Sequence, residues 1–517
     1  MLFNSYIFIF LFFPICLIGY YSLIHFKKKE LAQLFLVLMS FWFYGYFQIN
    51  YLLIMIFSIA GNYIFHRIMS QNPSKPLIFI AVAANLALLF YFKYFDFFIT
   101  NINAAFGTSF LLRNILLPLG ISFFTFQQIG FIVDTYRGEV KNCDFLSYAL
   151  FVAFFPQLIA GPIVSQSEML PQFEAMGSRK PDWEQFYRGL TLFILGLFKK
   201  VILADTFGAG ADMGYTNIPA LGRMDAILVI IFYVMQLYFD FSGYCDMARG
   251  IGRMLGIEIP INFNSPYKAT DIVDFWKRWH ITLSRFFTKY VYIPLGGNRK
   301  GEWRMYANLM IVFFLSGIWH GAGWNYVAWS MTQGILYVFT RWWFSKCNDL
   351  EKIKQKRGSD AVASHPLFCL ISSGSGHCRK MSQIIKTMVS RLVMFAYFCL
   401  TCVYFRAESV AQANSMLAVV FKGKWQKLSL DLAESLQLDE FWYVIKVFHL
   451  DRYEWSRYIL MFVMLAIGIV LTMITPNASE ISEKLKGKVF SSVMLAIIFV
   501  WCILSFSGVS IFLYFNF

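Results

Sequence analysis

Charged residues are scarce in this chain of 517 residues, at 15% of the total. A soluble globular protein carries roughly 25%, so the composition argues against an ordinary soluble enzyme. Hydrophobic residues make up 58% of the chain and aromatic residues 19%. Apolar runs of roughly 20 residues, long enough to cross a bilayer, recur along almost the whole length. The composition therefore predicts an all-α polytopic membrane protein.

The common motifs of soluble catalysis are also missing. The sequence has no Walker A loop, no H-E-x-x-H and no G-x-S-x-G, so it is not typical of a nucleotide hydrolase, a zinc protease or a serine hydrolase. The histidines share no metal-ligand spacing, and we predict no metal site. Nine cysteines form no paired framework. Cys399 and Cys402 form a C-x-x-C inside an apolar run, and we interpret them as small core residues.

The apolar runs predict about eleven spans in a single transmembrane domain that covers residues 1–517. A less regular stretch at 110–165 is interrupted by prolines and glycines. The run 305–344 is long enough for two spans, and we expect it to break near His320. The predicted spans lie near 6–26, 31–48, 51–69, 76–98, 186–204, 225–252, 305–344, 387–405, 458–475 and 489–515.

The distribution of charge predicts which segments face the cytoplasm. Three lysines at 27–29 follow the first span, which places that loop inside and the N-terminus outside. Segment 346–386 has eight basic and three acidic residues and is predicted to be a cytoplasmic basic loop. Segment 406–457 has seven of each, with interfacial tryptophans, and is predicted to be an extracytoplasmic amphipathic segment. The net charge of +15 fits this rule better than nucleic-acid binding.

His320 is the most informative ionisable residue in the chain. It lies in the apolar run F-F-L-S-G-I-W-H-G-A-G-W at 313–324. An ionisable side chain at membrane depth is costly to hold and marks a functional site by default. A neutral imidazole can accept a proton near neutral pH, and burial disfavours its charged form. The alternative is a hydrogen-bonded core histidine.

The stretch 260–300 combines an aromatic face with basic residues. Its large apolar residues recur at helical spacing, at Trp276, Trp279, Leu283 and Phe286. Basic residues occupy much of the remainder, at Lys277, Arg278, Arg285 and Lys289. Such a helix is either an interfacial anchor on lipid headgroups or a basic wall for an anionic cofactor or substrate, with His280 pointing toward the core. The basic turn at 296–300, which contains Arg299, could meet phosphate.

Two carboxylates lie in an apolar run at 238–249. The i, i+3 spacing of Asp246 and Arg249 predicts a structural ion pair. Asp240 could orient a histidine or be a buried, hydrogen-bonded carboxylate, and the second interpretation is favoured.

Several segments, in order along the chain, resemble the membrane-bound O-acyltransferase family, and especially its bacterial branch that O-acetylates alginate and peptidoglycan. The clearest likenesses are W-H-x-T-L-S-R-F around His280 and S-G-x-W-H-G-A-x-W around His320. The resemblance covers nearly the whole chain except 346–386. Further similar segments are F-N-S-Y (3–6), L-P-L-G-I-S-F-F-T-F-Q (117–127), F-P-Q-L-I-A-G-P (155–162), G-L-F-K-K (196–200), Y-I-P-L-G-G (292–297) and Y-F-R-A (404–407).

The resemblance implies a ring of peripheral spans around a thinner centre of tilted and re-entrant helices, with a central tunnel open to both faces. The two histidine motifs would meet in that tunnel. His320 matches the family's invariant histidine, and His280 matches its second active-site position. The residues expected to line or support the tunnel are Asp240, Asn264, Trp279 and Trp319.

The resemblance also implies acetyl transfer across a bacterial inner membrane. Acetyl-CoA would be the donor on the cytoplasmic side, with no permanently bound cofactor, and His320 would be the general base for an acceptor hydroxyl from outside. His280 would orient that acceptor or donate to the oxyanion. An extracytoplasmic, esterase-like (SGNH) partner would then acetylate a polysaccharide such as alginate or peptidoglycan. The donor's phosphates would be held by Lys277, Arg278, Arg285 and Arg299.

Two other functions remain open at this point. One is D-alanyl transfer from a carrier protein to teichoic acid, within the same family. The other is a proton-coupled transporter whose intramembrane histidines relay protons.

Overall fold

The computed structural model describes residues 1–140, 142–178, 181–356, 376–485, 487–506 and 512–513. Within these ranges every regular element is a helix, which confirms the all-α fold class. Residues 357–375, the central part of the predicted cytoplasmic loop 346–386, lie outside the described residues.

The described residues form 23 α-helices, numbered here in chain order. They are α1 (Phe13–His25), α2 (Lys29–Gly45), α3 (Ile49–Gln71), α4 (Lys75–Leu89), α5 (Phe95–Phe106), α6 (Ile121–Tyr136), α7 (Phe145–Ala153), α8 (Phe155–Leu158), α9 (Gln166–Glu174), α10 (Trp183–Phe198), α11 (Asp205–Thr216), α12 (Arg223–Met254), α13 (Ile272–Arg278), α14 (Ile281–Phe287), α15 (Glu302–His320), α16 (Trp324–Lys356), α17 (Gly376–Arg406), α18 (Val410–Lys422), α19 (Leu430–Ser435), α20 (Asp439–Val447), α21 (Glu454–Met473), α22 (Ala478–Lys484) and α23 (Val489–Leu504). Wider π-helical turns adjoin some of them, at Phe8–Phe12, Phe90–Tyr94, Lys199–Ala204 and Thr288–Tyr292.

Six helical stretches in the described residues are long and apolar enough to cross a membrane. Each coincides with a span predicted from the sequence. The other predicted spans fall on helices that are shorter or more polar, such as α2 with 17 residues and α23 with 16. The figure of about eleven spans therefore stays a prediction. The six stretches are Phe8–His25, Ile49–Gln71, Lys75–Phe106, Arg223–Met254, Ile384–Arg406 and Glu454–Met473.

The chain divides into two compact units. The first consists of residues 1–209, 235–262 and 476–517, and the second of residues 210–234 and 263–475. The single domain expected over residues 1–517 stays a prediction.

In the first unit, α10 packs on the C-terminal half of α12 through pairs of glycines. A Cβ on Gly189 would lie 2.7 Å from the carbonyl oxygen of Gly250, and a Cβ on Gly250 would lie 2.6 Å from that of Gly189. Gly196 and Gly243 repeat this arrangement seven residues along each helix, at 2.6 and 2.8 Å. Since no side chain separates the two backbones, the helices run antiparallel in direct contact, as small residues permit in membrane proteins.

The predicted ion pair between Asp246 and Arg249 is wrong. The carboxylate of Asp246 accepts instead from Lys199 Nζ at 2.6 Å, while Arg249 donates to the carbonyl oxygen of Ile259 and to Ser479 Oγ. The glycine contact brings the end of α10 close to α12. Lys199, which follows α10, can therefore reach the carboxylate of Asp246 on α12. Spacing along one helix cannot reveal such a partner.

In the second unit, α15 and α16 form an antiparallel hairpin that turns at 321–323, where the sequence predicts a break. Gly317 faces Ser330 and Tyr326, and a Cβ on Gly317 would lie 2.8 Å from the carbonyl oxygen of Tyr326. Further from the turn, a Cβ on Gly334 would lie 2.9 Å from the side chain of Phe313. The hairpin is therefore closely packed along its length. Aromatic side chains, such as Tyr326 and Phe313, lie next to these glycines.

The glycine contact between α10 and α12 predicts a loss of stability on Gly250→Ala. The new methyl group would meet two backbone atoms, Gly189 O at 2.6 Å and Phe193 N at 2.7 Å, which cannot move without separating the helices. We expect the free energy of unfolding in detergent to fall by about 1–3 kcal/mol, measured as a lower melting temperature. Gly61→Ala is the matched control, because nothing lies within 4 Å of a Cβ at that position. Equal melting temperatures for the two variants would contradict the contact.

Candidate active site

His280 stands at a sharp break between two short helices. The helix α13 ends at Arg278 and α14 begins at Ile281, and His280 between them has φ 46° and ψ 51°. This left-handed conformation is uncommon for a residue with a side chain. It turns the imidazole inward, where it is 0% exposed. Strained backbone of this kind persists only where the surrounding structure imposes it, and such positions cluster at functional sites.

His320 is the last residue of α15, and its ring is enclosed by aromatic side chains. The imidazole is 3% exposed. Its centroid lies 5.2 Å from that of Trp329 and 5.3 Å from that of Phe405, both edge-on. Trp329 comes from α16 and Phe405 from α17, so two other helices form the wall around His320.

The fold brings the two histidines together. Their ring centroids are 6.2 Å apart, with the ring planes at 63°. The Trp319 ring lies beside both, 5.8 Å from that of His280 and 5.0 Å from that of His320. Forty positions separate the histidines in the sequence, so no single helix could place them side by side. The pair belongs entirely to the second unit.

The charge state of His280 follows from its burial. His280 lies outside the six apolar helices that could cross a membrane. Burial lowers the pKa of His280 from its ordinary value to about 3, because an imidazolium ion loses its hydration there. The His280 ring is therefore neutral near pH 7. A neutral imidazole presents one N–H donor and one nitrogen acceptor, so it can hydrogen-bond an oxygen without carrying charge.

Trp276 on α13 packs against the hairpin close to His280 in the chain, and Trp279 packs against α13 itself. Trp276 packs against Phe313 of α15 at 5.5 Å and against Trp329 of α16 at 6.1 Å. Trp279 is 4% exposed and stacks on Phe275 at 5.6 Å. The aromatic face that the sequence predicts is thus a packing face inside the unit. It positions His280 through the helix that precedes it.

The predicted donor-binding residues lie at the surface of the unit. Lys277, Arg285 and Arg299 are exposed. Arg278 is partly buried and binds the carboxylate of Asp274, with Nε to Oδ1 at 2.8 Å. Asn264 is exposed, and its backbone N–H donates to the carbonyl oxygen of Arg278 at 2.9 Å. The role of the four basic residues in binding the donor and that of Asn264 in lining the tunnel both stay predictions.

Asp240 belongs to the first unit, where both of its carboxylate oxygens are engaged. Oδ1 accepts from Lys200 Nζ at 2.6 Å, and Oδ2 accepts from the backbone N–H of Leu513 at 3.0 Å. Lys200 also binds Asp205 at 2.8 Å. These contacts agree with the interpretation of Asp240 as a buried, hydrogen-bonded carboxylate. Its predicted part in a tunnel stays a prediction.

Cys399 and Cys402 are buried thiols that form no disulfide. Their positions agree with the interpretation of both as core residues. Among the described residues, histidine, cysteine, aspartate and glutamate side chains form no group of three or more that could hold a metal ion.

The sequence did not single out the aromatic wall of His320. Trp329 follows His320 by nine positions, and only the turn at 321–323 brings it back beside the ring. Phe405 lies in the Y-F-R-A segment at 404–407, which is one of the segments that resemble the family. That resemblance could have indicated that Phe405 belongs to the site. Asn325 anchors this wall, because its amide donates to the carbonyl oxygen of Ala407 at 2.7 Å.

The chain is similar to acyltransferases of known families. The model of the membrane-bound O-acyltransferase (MBOAT) family matches residues 133–357. The peptidoglycan O-acetyltransferase of Helicobacter pylori is 36% identical over 553 residues, covering 100% of this chain and 98% of the relative. A probable alginate O-acetylase of Pseudomonas aeruginosa is 39% identical over 66% of each chain. A teichoic acid D-alanyltransferase of Streptococcus thermophilus is 28% identical over 48% of this chain and 62% of its own length.

The residues matched by the family model, 133–357, include both histidines and the hairpin that holds His320. The full-length relative extends the likeness to both ends of the chain, and the six apolar helices agree with a membrane family. A transporter, which the intramembrane histidines alone had left open, is therefore set aside. The chain belongs to the membrane-bound O-acyltransferase family and is a multi-pass membrane acyltransferase.

Proposed function

We propose that this chain transfers an acetyl group from cytoplasmic acetyl-CoA to a hydroxyl on the outer side of a bacterial inner membrane. The observation that carries the proposal is the buried pair of His280 and His320 in a chain of this family. Relatives named as O-acetyltransferases support an acetyl donor. D-alanyl transfer is less well supported, because the D-alanyltransferase shares 28% identity over about half of the chain.

In the proposed reaction His320 is the general base. It takes the proton from the acceptor hydroxyl as the oxygen attacks the thioester carbonyl of acetyl-CoA. The tetrahedral intermediate then collapses, the carbon–sulfur bond breaks, and the thiolate leaves. The proton on His320 returns to that sulfur, so the base is regenerated. Because a thiolate is a good leaving group, one base suffices for both proton transfers.

In this proposal His280 is the hydrogen-bond donor that assists the base. Its neutral ring can donate one hydrogen bond to the oxyanion of the intermediate or to the acceptor. A donor held in position before the reaction stabilises developing charge more effectively than water, which must reorient. The left-handed backbone and the packing of Trp276 hold His280 in position. The aromatic wall of Trp329 and Phe405 would keep water from hydrolysing the thioester.

The proposed route runs through a central tunnel within about eleven spans. The acetyl-CoA phosphates would meet the exposed basic residues of the 277–299 region on the cytoplasmic side. The acceptor would enter from the opposite face, where segment 406–457 is predicted to lie. An extracytoplasmic esterase-like protein would collect the acetyl group and pass it to a cell-surface polysaccharide, in keeping with relatives named for peptidoglycan and alginate.

His320→Ala should abolish acetyl transfer. Loss of a general base costs about 10²–10⁴-fold in rate, so polymer-bound acetate in cells that depend on this chain should fall to background. His320→Gln should be equally inactive, because an amide keeps a polar group but cannot act as a base. His25→Ala is the matched control, since His25 is exposed at the end of α1.

Membrane levels of each variant are measured by immunoblot, so that loss of protein is not mistaken for loss of activity. Normal polymer-bound acetate in His320→Ala cells with normal protein would refute the proposal. Polymer-bound D-alanine is measured in the same cells. If polymer-bound D-alanine falls in His320→Ala cells and polymer-bound acetate does not, the chain transfers D-alanine instead of acetate.

Lys277→Gln and Arg285→Gln should raise the KM for acetyl-CoA. Each change removes an exposed cation proposed to bind a donor phosphate, and a lost charged hydrogen bond weakens binding by about tenfold. The kcat should change little, because neither residue would touch the thioester. Lys427→Gln is the control, since Lys427 is exposed and paired with Glu454. An unchanged KM in both variants would show that the basic helix is an interfacial anchor.

A further inference from the structure

An arginine lies near the end of the α15–α16 hairpin that is opposite the turn beside His320. Arg341 is partly buried on α16, and its Nη2 donates to the thioether of Met305 on α15, with Nη2 to Sδ at 3.9 Å. A thioether is a weak acceptor. Among the described residues no carboxylate forms an ion pair with Arg341, and Glu302 accepts instead from Ser345 Oγ at 3.3 Å. The charge of Arg341 is therefore not neutralised within the described fold.

Three tyrosines lie near this arginine. Tyr306 of α15 and Tyr337 of α16 both interact electrostatically with Arg341. Tyr292, which precedes the hairpin, does so too. Tyr306 is 8% exposed, and its hydroxyl is buried without a hydrogen-bond partner in the described part of the chain. Buried polar groups are nearly always hydrogen-bonded in native proteins, so this hydroxyl and the arginine point to an acceptor from outside the chain. The four residues are called the Arg341 cluster.

The surroundings of the Arg341 cluster are exposed and aromatic. Trp342 and Trp343, which follow Arg341 in α16, are each 39% exposed, and Trp303 in the first turn of α15 is 87% exposed. Tryptophans concentrate at the level of the lipid headgroups in membrane proteins. Arg304 beside them is also exposed. The sequence predicts that the chain enters the cytoplasm just after this point, so this end of the hairpin would face the headgroups of the cytoplasmic leaflet.

We propose that the Arg341 cluster binds a phosphate ester, and that this phosphate is the headgroup phosphate of an anionic phospholipid in the cytoplasmic leaflet. A phosphate diester carries a negative charge and free acceptor oxygens, which match the cation of Arg341 and the hydroxyl donor of Tyr306. Basic pockets between helices on the cytoplasmic side are suited to such headgroups. The exposed tryptophans would lie against the glycerol and the upper acyl chains.

This inference goes beyond acetyl transfer and does not depend on it. Both helices of the hairpin contribute to the Arg341 cluster, so a bound lipid would hold them together at the end remote from His320. The phosphates of acetyl-CoA share the chemistry of a lipid phosphate. The binding of acetyl-CoA therefore has to be measured beside that of the lipid.

The first measurement is the binding of phosphatidylglycerol to the delipidated chain in detergent, followed by native mass spectrometry. We expect a saturable site for phosphatidylglycerol and none for dioleoylglycerol, which lacks the phosphate. Arg341→Gln and Tyr306→Phe should each weaken the binding of phosphatidylglycerol by about tenfold, because each removes a donor to the phosphate. Without lipid, the melting temperature of Tyr306→Phe should be unchanged, since this hydroxyl makes no hydrogen bond within the described residues.

Arg304→Gln is the matched control. Arg304 is exposed at the same end of the hairpin, and its substitution lowers the net charge by the same amount as Arg341→Gln. The control should bind phosphatidylglycerol as the unmodified chain does. An equal loss of binding in Arg304→Gln and Arg341→Gln would indicate general attraction to a basic surface and would overturn the site. Equal binding of phosphatidylglycerol and dioleoylglycerol would overturn it as well.

Calorimetry with acetyl-CoA, in detergent without phosphatidylglycerol, distinguishes the lipid from the acyl donor. Arg341→Gln should bind acetyl-CoA with unchanged affinity. Weaker binding of acetyl-CoA together with normal binding of phosphatidylglycerol would overturn the assignment to a lipid and give the phosphate to the donor. His320→Ala should keep its affinity for phosphatidylglycerol, so a failure of the proposed acetyl transfer would not alter this result.

Discussion

The close approach of α15 and α16 is the contact on which the histidine site depends. Gly317 lets the backbone of α15 lie against α16, and this contact carries Trp329 back to the ring of His320. With a larger residue at this position, the two helices would separate and the aromatic wall would open. Trp276 of α13 packs on the same hairpin, so His280 also depends on it for its position. Aromatic packing thus surrounds both imidazoles.

The apolar surroundings of the two histidines determine the charge state in which an imidazole is held there. Burial lowers the pKa of His280 to about 3, so this imidazole is neutral and can donate a hydrogen bond without carrying charge. In the first unit, by contrast, buried charges are paired: Lys199 Nζ and Lys200 Nζ each lie 2.6 Å from an aspartate carboxylate oxygen. Paired charges of that kind are satisfied within the fold.

Patterns along the sequence predicted much of the helical framework. Six of the predicted spans coincide with long apolar helices, and the break near His320 is present, because hydrophobic length and glycines act locally. The predicted partner of Asp246 was wrong, since Lys199 reaches it from another helix. Trp329 was missed for the same reason: its contact with His320 exists only after the hairpin closes. The family resemblance placed both histidines in one site, which spacing alone could not do.

The sequence by itself determined an all-helical membrane protein, with a buried ionisable residue at 320 and a basic aromatic helix near 280. These properties follow from composition and short-range periodicity, which each segment carries regardless of its neighbours. The tertiary structure decided that the two rings lie 6.2 Å apart and that aromatic residues from three helices surround them. Such contacts join residues far apart in the chain, and only the packing of helices through their small residues selects which side chains meet.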